Sequence, residues 1–153
     1  MLTPCTPEID DWQGASTGIE VRPVLLLMAY ECMPDAECEA YAGWERVLQA
    51  AREFEVHAIV SAESFAAVER HGYVGTIPGI HFHTPQLDPL YRLLQRAPNL
   101  FAHNNIAYYY WQHLAYRLAR ELHRRFCFSL VHQINLSTFR APGYTWQLGI
   151  PYV

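Results

Sequence analysis

The sequence contains no lysine: all eleven of its basic side chains are arginine. That excludes Schiff-base chemistry and any phosphate loop that depends on a lysine ammonium. A basic excess is also missing. The formal charge is −4 over 153 residues, whereas nucleic-acid binding draws most of its affinity from cationic side chains. Long apolar runs are absent too. The longest, VLLLMAY at Val24–Tyr30, falls far short of the roughly 20 residues that span a bilayer. Cysteine is sparse: Cys5, Cys32, Cys38 and Cys127 show no paired spacing, as expected of reduced thiols in a cytoplasmic protein.

The chain is nevertheless rich in aromatic side chains, at 14%, and is long enough for one domain with a sizeable core. Residues 1–21 carry acids, glycines and prolines and have no apolar h-region. They read as a poorly ordered leader rather than a signal peptide. Residues 22–153 read as the folded domain.

From Val24 onward the hydrophobic period alternates between strand and helix. VLLLMAY is a continuous apolar run, as expected of a parallel strand covered on both faces. In YAGWERVLQAAREF, helical spacing groups Trp44, Val47, Leu48, Ala51 and Phe54 on one side. EVHAIVS reads as a second strand, Ser61 as the N-cap of the next helix, and Gly72 as its stop. IHFHT is a third strand, and Asp88-Pro89 opens a further helix. A long helix over 104–125 places Ile106, Tyr110, Leu114, Leu118 and Leu122 in one row, flanked by Ala107, Trp111, Ala115 and Ala119. Gln112, Arg117, Arg120, Glu121 and Arg124 lie opposite. CFSLVHQIN is a fourth strand, and IPYV starts a fifth. This order predicts an α/β, Rossmann-like open parallel sheet with helices on both faces.

In such sheets ligands bind beyond the carboxyl ends of the strands. The loop after the first strand carries Glu31, Asp35, Glu37 and Glu39, whose charge opposes a bound phosphate.

Two segments, AYECMPDAECEAYAGW and VHQINLSTFRAPGYTWQLGIPYV, resemble the N-terminal, acceptor-side domain of the family 4 retaining glycosyltransferases, which have the two-domain GT-B fold. The likeness lies in Ala29-Tyr30, Cys32, Pro34 and the Gly43-Trp44 pair, in Tyr110-Trp111-Gln112, and in the run from His132 to Pro151. It implies that His132 touches the donor sugar, and that Glu39, Gly43, Asn135 and Arg140 line the substrate cleft. It also implies a glycan or lipid-linked acceptor, and a nucleotide-sugar donor held by a second domain beyond PYV, so no cofactor is expected of this chain alone.

On that reading the domain is incomplete at its C-terminus and inactive alone, or else a non-catalytic subunit that pairs with a separate donor-binding chain. The chain departs from the family where Glu37 and Tyr41 replace loop glycines and Cys38 replaces a serine. Two further readings stay open. His81 and His83 have the period-two spacing of metal ligands and, with Cys32 and Cys38, allow a zinc site, although the family needs no metal. Arg117, Arg120, Arg124 and Arg125 are a solvated face or a peripheral contact with anionic lipid.

Overall fold

A computed structural model describes residues 22–96, 105–134 and 143–153. The expected leader, Asn135 and Arg140 therefore lie outside the described residues. Four strands, β1 (Val24–Ala29), β2 (Glu55–Val60), β3 (Ile80–His83) and β4 (Leu130–Ile134), form one sheet in the order β3-β2-β1-β4. All pairings are parallel, with Leu27 opposite Ala58 on one side and His132 on the other. The helices are α1 (Cys38–Ala50), α2 (Ala62–Arg70), α3 (Pro89–Arg96) and α4 (Asn105–Phe126). The fold is Rossmann-like α/β. No helix among the described residues is long and apolar enough to cross a membrane.

The period-two alternation of β1 sorts the core into two layers. Leu25, Leu27 and Ala29 join Trp44, Val47 and Val68 beneath α1 and α2. Leu26 and Met28 face the other way, toward Trp111, Leu114 and Ala115 of α4. Local signals place the helix ends. Ser61 accepts a hydrogen bond from the Ser64 amide at 3.1 Å, and Asp88 accepts one from the Tyr91 amide at 2.9 Å. Each cap satisfies a donor that the helix itself leaves unpaired.

Three expectations need correction. The buried face of α4 is the flanking row Ala107, Trp111, Ala115 and Ala119 together with Leu114 and Leu122 of the expected row, whereas Ile106 is 66% exposed. The three alanines bring the helix close to the sheet, and Trp111 fills the space that remains. Gln112, expected to face outward, is only 3% exposed. Finally, Cys32 and Cys38 are free thiols but Cys127 is disulfide-bonded, so the cysteines are not all reduced.

The segment after β4 forms a 3-10 helix, Tyr144–Leu148, that ends on Gly149 with φ of 73°. Pro151–Val153 then lies parallel to β4. The Val131 amide donates to the Pro151 carbonyl at 2.8 Å, and the Val153 amide donates to the Val131 carbonyl at 2.9 Å. The expected fifth strand is thus present as a single parallel bridge, Val131 to Tyr152.

On the α4 side of β2 and β3, His57 Nδ1 and His83 Nε2 lie 3.0 Å apart. Their rings are within 4° of parallel with centroids 5.2 Å apart, so they meet edge to edge. One nitrogen carries the proton and the other accepts it. Phe126 and Phe128 close over His57. Burial, then His83 and His81, lowers the His57 pKa to about 3. Burial, then His81 and Arg125, lowers that of His83 to about 4.

An unfolded chain protonates both rings near pH 6.5, so below that pH the unfolded state binds more protons than the fold. Stability from this pair is therefore complete above about pH 6.5 and is lost as pH falls toward the folded values. The melting temperature should drop between pH 6.5 and 4, and less steeply in a His57→Gln/His83→Gln double variant. An equal acid slope in that variant would show that other groups are responsible.

Candidate functional site

The chain runs outward from β1 through β2 to β3, then returns through α4 to β4 on the other side of β1. The strand order therefore reverses between β1 and β4, where open α/β sheets leave a ligand crevice. Tyr30 and Glu31 follow directly from β1 at this point. Tyr30 packs edge-on against Tyr108 and Trp111, with centroids 5.2 and 4.8 Å apart. Its hydroxyl lies 3.2 Å from that of Tyr91. Burial first, and then Tyr91, raises the Tyr30 pKa, so the phenol stays protonated.

Behind Tyr108 sits a buried layer of amides. Gln112 Nε2 donates to the Tyr108 hydroxyl at 2.7 Å, and Thr145 Oγ1 donates to Gln133 Oε1 at 3.4 Å. The Gly143 amide donates to the Tyr152 hydroxyl at 2.9 Å. Gly143 lets this layer close as it stands, because a Cβ there would lie 2.3 Å from Gln133 Oε1 and the glutamine would have to move. Gln112 Oε1 and Trp111 Nε1 are buried without a hydrogen-bond partner among the described residues. Leaving such groups unpaired costs about 1–3 kcal/mol each. Apart from Glu31, whose charge acts on Tyr108, the layer is built from hydroxyls, amides and aromatic rings.

Glu31 carries the main charge at the crest. Burial, then Glu39 and Glu63, raises its pKa. The loop behind it has little free backbone to offer an anion. The Cys32 amide donates to Ser64 Oγ at 3.0 Å, and the Met33 amide donates to the Ala40 carbonyl at 3.0 Å. Ser64 in turn donates to the Tyr30 carbonyl at 3.1 Å, locking the loop onto α2. Carboxylates and spent amides together make a poor phosphate cradle. Cys32 itself is buried, and burial pushes its thiol up to about 12, far from nucleophilic.

The sequence-derived residues fall on the α1 side. Glu39 is exposed in the first turn of α1. Gly43 is buried, and its role is one of approach: a Cβ there would lie 2.1 Å from the Glu31 carbonyl oxygen. At the start of α1, Cys38 holds φ of 55°, a left-handed conformation that only glycine adopts without strain. His132 sits in the middle of β4 opposite Leu27. It is half-buried, and burial, then Arg46, lowers its pKa, so it is a neutral imidazole at pH 7. Glu39 and Gly43 flank the crest at Glu31, whereas His132 lies deeper, on the same side of the sheet as α1.

The structure separates the groups of the imagined zinc site. Cys32 belongs to the core beneath α1, while His83 pairs with His57 on the α4 side. Among the described residues no three His, Cys, Asp or Glu side chains are grouped to hold a metal ion.

Tyr91, Gln133, Thr145 and Tyr152 join the site without having been expected there. Gln133 carried a signal, as a polar residue within the apolar run of β4. Tyr152 had none, since its hydroxyl reaches the crevice only because Pro151–Val153 lies along β4.

The structure is a Rossmann-like domain with a buried, mainly uncharged hydrogen-bonded layer at its switch point. No family model matches the chain, and no curated protein matches it.

Gly43→Ala should be among the most damaging small substitutions. Overpacking at a close backbone approach costs roughly 1–3 kcal/mol, and the 2.1 Å approach to the Glu31 carbonyl lies at the severe end. Chemical denaturation would read the loss. A variant as stable as the parent would show that α1 can shift away from the loop.

Proposed function

We propose that the chain is the acceptor-side half of a retaining, nucleotide-sugar-dependent glycosyltransferase that transfers a hexosyl group to a glycan or lipid-linked acceptor. The observation that carries this reading is the chemistry of the switch-point crevice. Tyr108, Gln112, Gln133 and Tyr152 offer hydroxyls and amides beside the rings of Tyr30 and Trp111. Such a set suits a neutral polyhydroxylated ligand.

The parallel order β3-β2-β1-β4, with a further segment along β4, supports the same reading. So does the sequence likeness around Gly43-Trp44 and from His132 to Pro151. In this role neutral His132 orients the transferred sugar. Cations that offset charge on the departing phosphate come from a donor-binding half, because the Glu31, Glu39 and Glu63 group does not supply them.

One observation favours a subunit reading. On the segment that follows β4, Trp146 is 53% exposed and Val153 is 65% exposed, apolar surface of the kind that a second chain covers. Co-purification of a donor-binding chain would select that alternative.

Titration of the isolated chain with UDP- or GDP-sugars should show no binding in the micromolar range, and micromolar affinity would overturn the proposal. With a donor-binding half supplied, His132→Ala should reduce turnover by about 10²-fold or more. Undiminished turnover would remove His132 from the site.

A further inference from the structure

We propose that a second ligand site, selective for a phosphate-ester group, lies along the outer side of α4. A groove of about 930 Å³ separates α4 from the loop that leaves β3. Arg117, Arg120 and Arg124 line it from the helix, and Thr84, Leu87 and Asp88 line it from the loop. Spacings of three and four residues stack the guanidinium groups on one helix face. The groove has the size of small-molecule sites, which run to roughly 300–1,000 Å³.

Among the described residues none of the three arginines makes an ion pair, although the charge of Arg117 acts on Asp88 across the groove. Among the described residues the ion pairs are His71 with Asp35 and His81 with Glu55. Asp88 is already committed: it accepts from the Tyr110 hydroxyl at 2.6 Å and from the Tyr91 amide at 2.9 Å. Glu121 lines the same groove but makes no ion pair.

The helix dipole accounts for cations in the last turn, where Arg124 and Arg125 lie. It does not account for Arg117 and Arg120, which sit in mid-helix. Arg120 is held with its guanidinium carbon 5.8 Å from the centre of the Tyr116 ring. On the opposite wall the Thr84 hydroxyl is buried without a hydrogen-bond partner.

Guanidinium forks match phosphate oxygens, and the hydroxyl can add one more donor. Leu87, Leu114 and Leu118 complete the lining with apolar surface, which suits the organic part of a phosphate ester. A soluble ester and a lipid headgroup share this chemistry. The site lies on the α4 side of the sheet, away from His132, and does not depend on the glycosyltransferase reading.

The test uses the whole chain, ¹⁵N-labelled, at constant ionic strength with inorganic pyrophosphate as probe. Amide shifts should concentrate at residues 84–88 and 114–124. An Arg117→Gln/Arg120→Gln variant should bind about tenfold more weakly or worse. Arg52→Gln, in the turn between α1 and β2, should bind as the parent does. Thr84→Val, which leaves every charge in place, should weaken binding severalfold and serves if the double variant does not fold.

Vesicles of phosphatidylcholine, with and without phosphatidic acid, separate the two sources. Retention on the phosphatidic acid vesicles alone, lost in the variant, assigns a lipid phosphate. Pyrophosphate binding without retention assigns a soluble ester. Shifts spread evenly over all arginines, parental affinity in the arginine or threonine variants, or binding of neither probe would overturn the proposal.

Discussion

Strand β1 is hydrogen-bonded along both edges and buried on both faces, and the rest of the domain is arranged around it. Its residues Leu25 to Ala29 are removed from solvent, and each large side chain among them contributes about 1.5–3 kcal/mol by burial. Because a parallel strand has no short return, β2 and β4 can flank it only through helical crossovers. Those crossovers place α1 and α2 on one face and α4 on the other. The crest of β1, at Tyr30 and Glu31, is then the point where the two directions of winding part.

What happens at that crest is set by close approach. Gly43 lets α1 settle onto the Glu31 carbonyl, and Gly143 lets the chain after β4 settle onto Gln133. Between them lie phenols and amides rather than cations. The negative charge of Glu31, Glu39 and Glu63 gathers on the α1 side, and positive charge gathers along the outer face of α4.

Much of the architecture is legible in the residues. Continuous apolar runs mark β1 and β2, while Ser61, Asp88 and Gly72 mark helix ends, because strand burial and helix capping are local requirements. The face of α4 was less legible. Of the more hydrophobic row, Leu114 and Leu122 are buried while Ile106 is exposed, and the flanking row of alanines with Trp111 is buried throughout. Small residues permit close packing, and hydrophobicity alone does not register that. Gln112 shows the same limit, since a buried amide beside Tyr108 looks in sequence like a solvent-facing polar residue. For the candidate site, the resemblance implied Glu39, Gly43 and His132 but did not show that Gly43 serves packing.

The sequence by itself determined the alternation of strands and helices, the parallel sheet, and the exclusion of lysine-based chemistry, since these follow from composition and from periods of a few residues. Tertiary structure alone decided which polar groups meet. Residues 30, 108, 112, 133, 143 and 152 assemble at the switch point, and His57 meets His83 rather than the cysteines meeting the histidines. The physical reason is that strand order and the depth at which each helix seats are long-range properties. They are set by packing across the sheet, which no local pattern encodes.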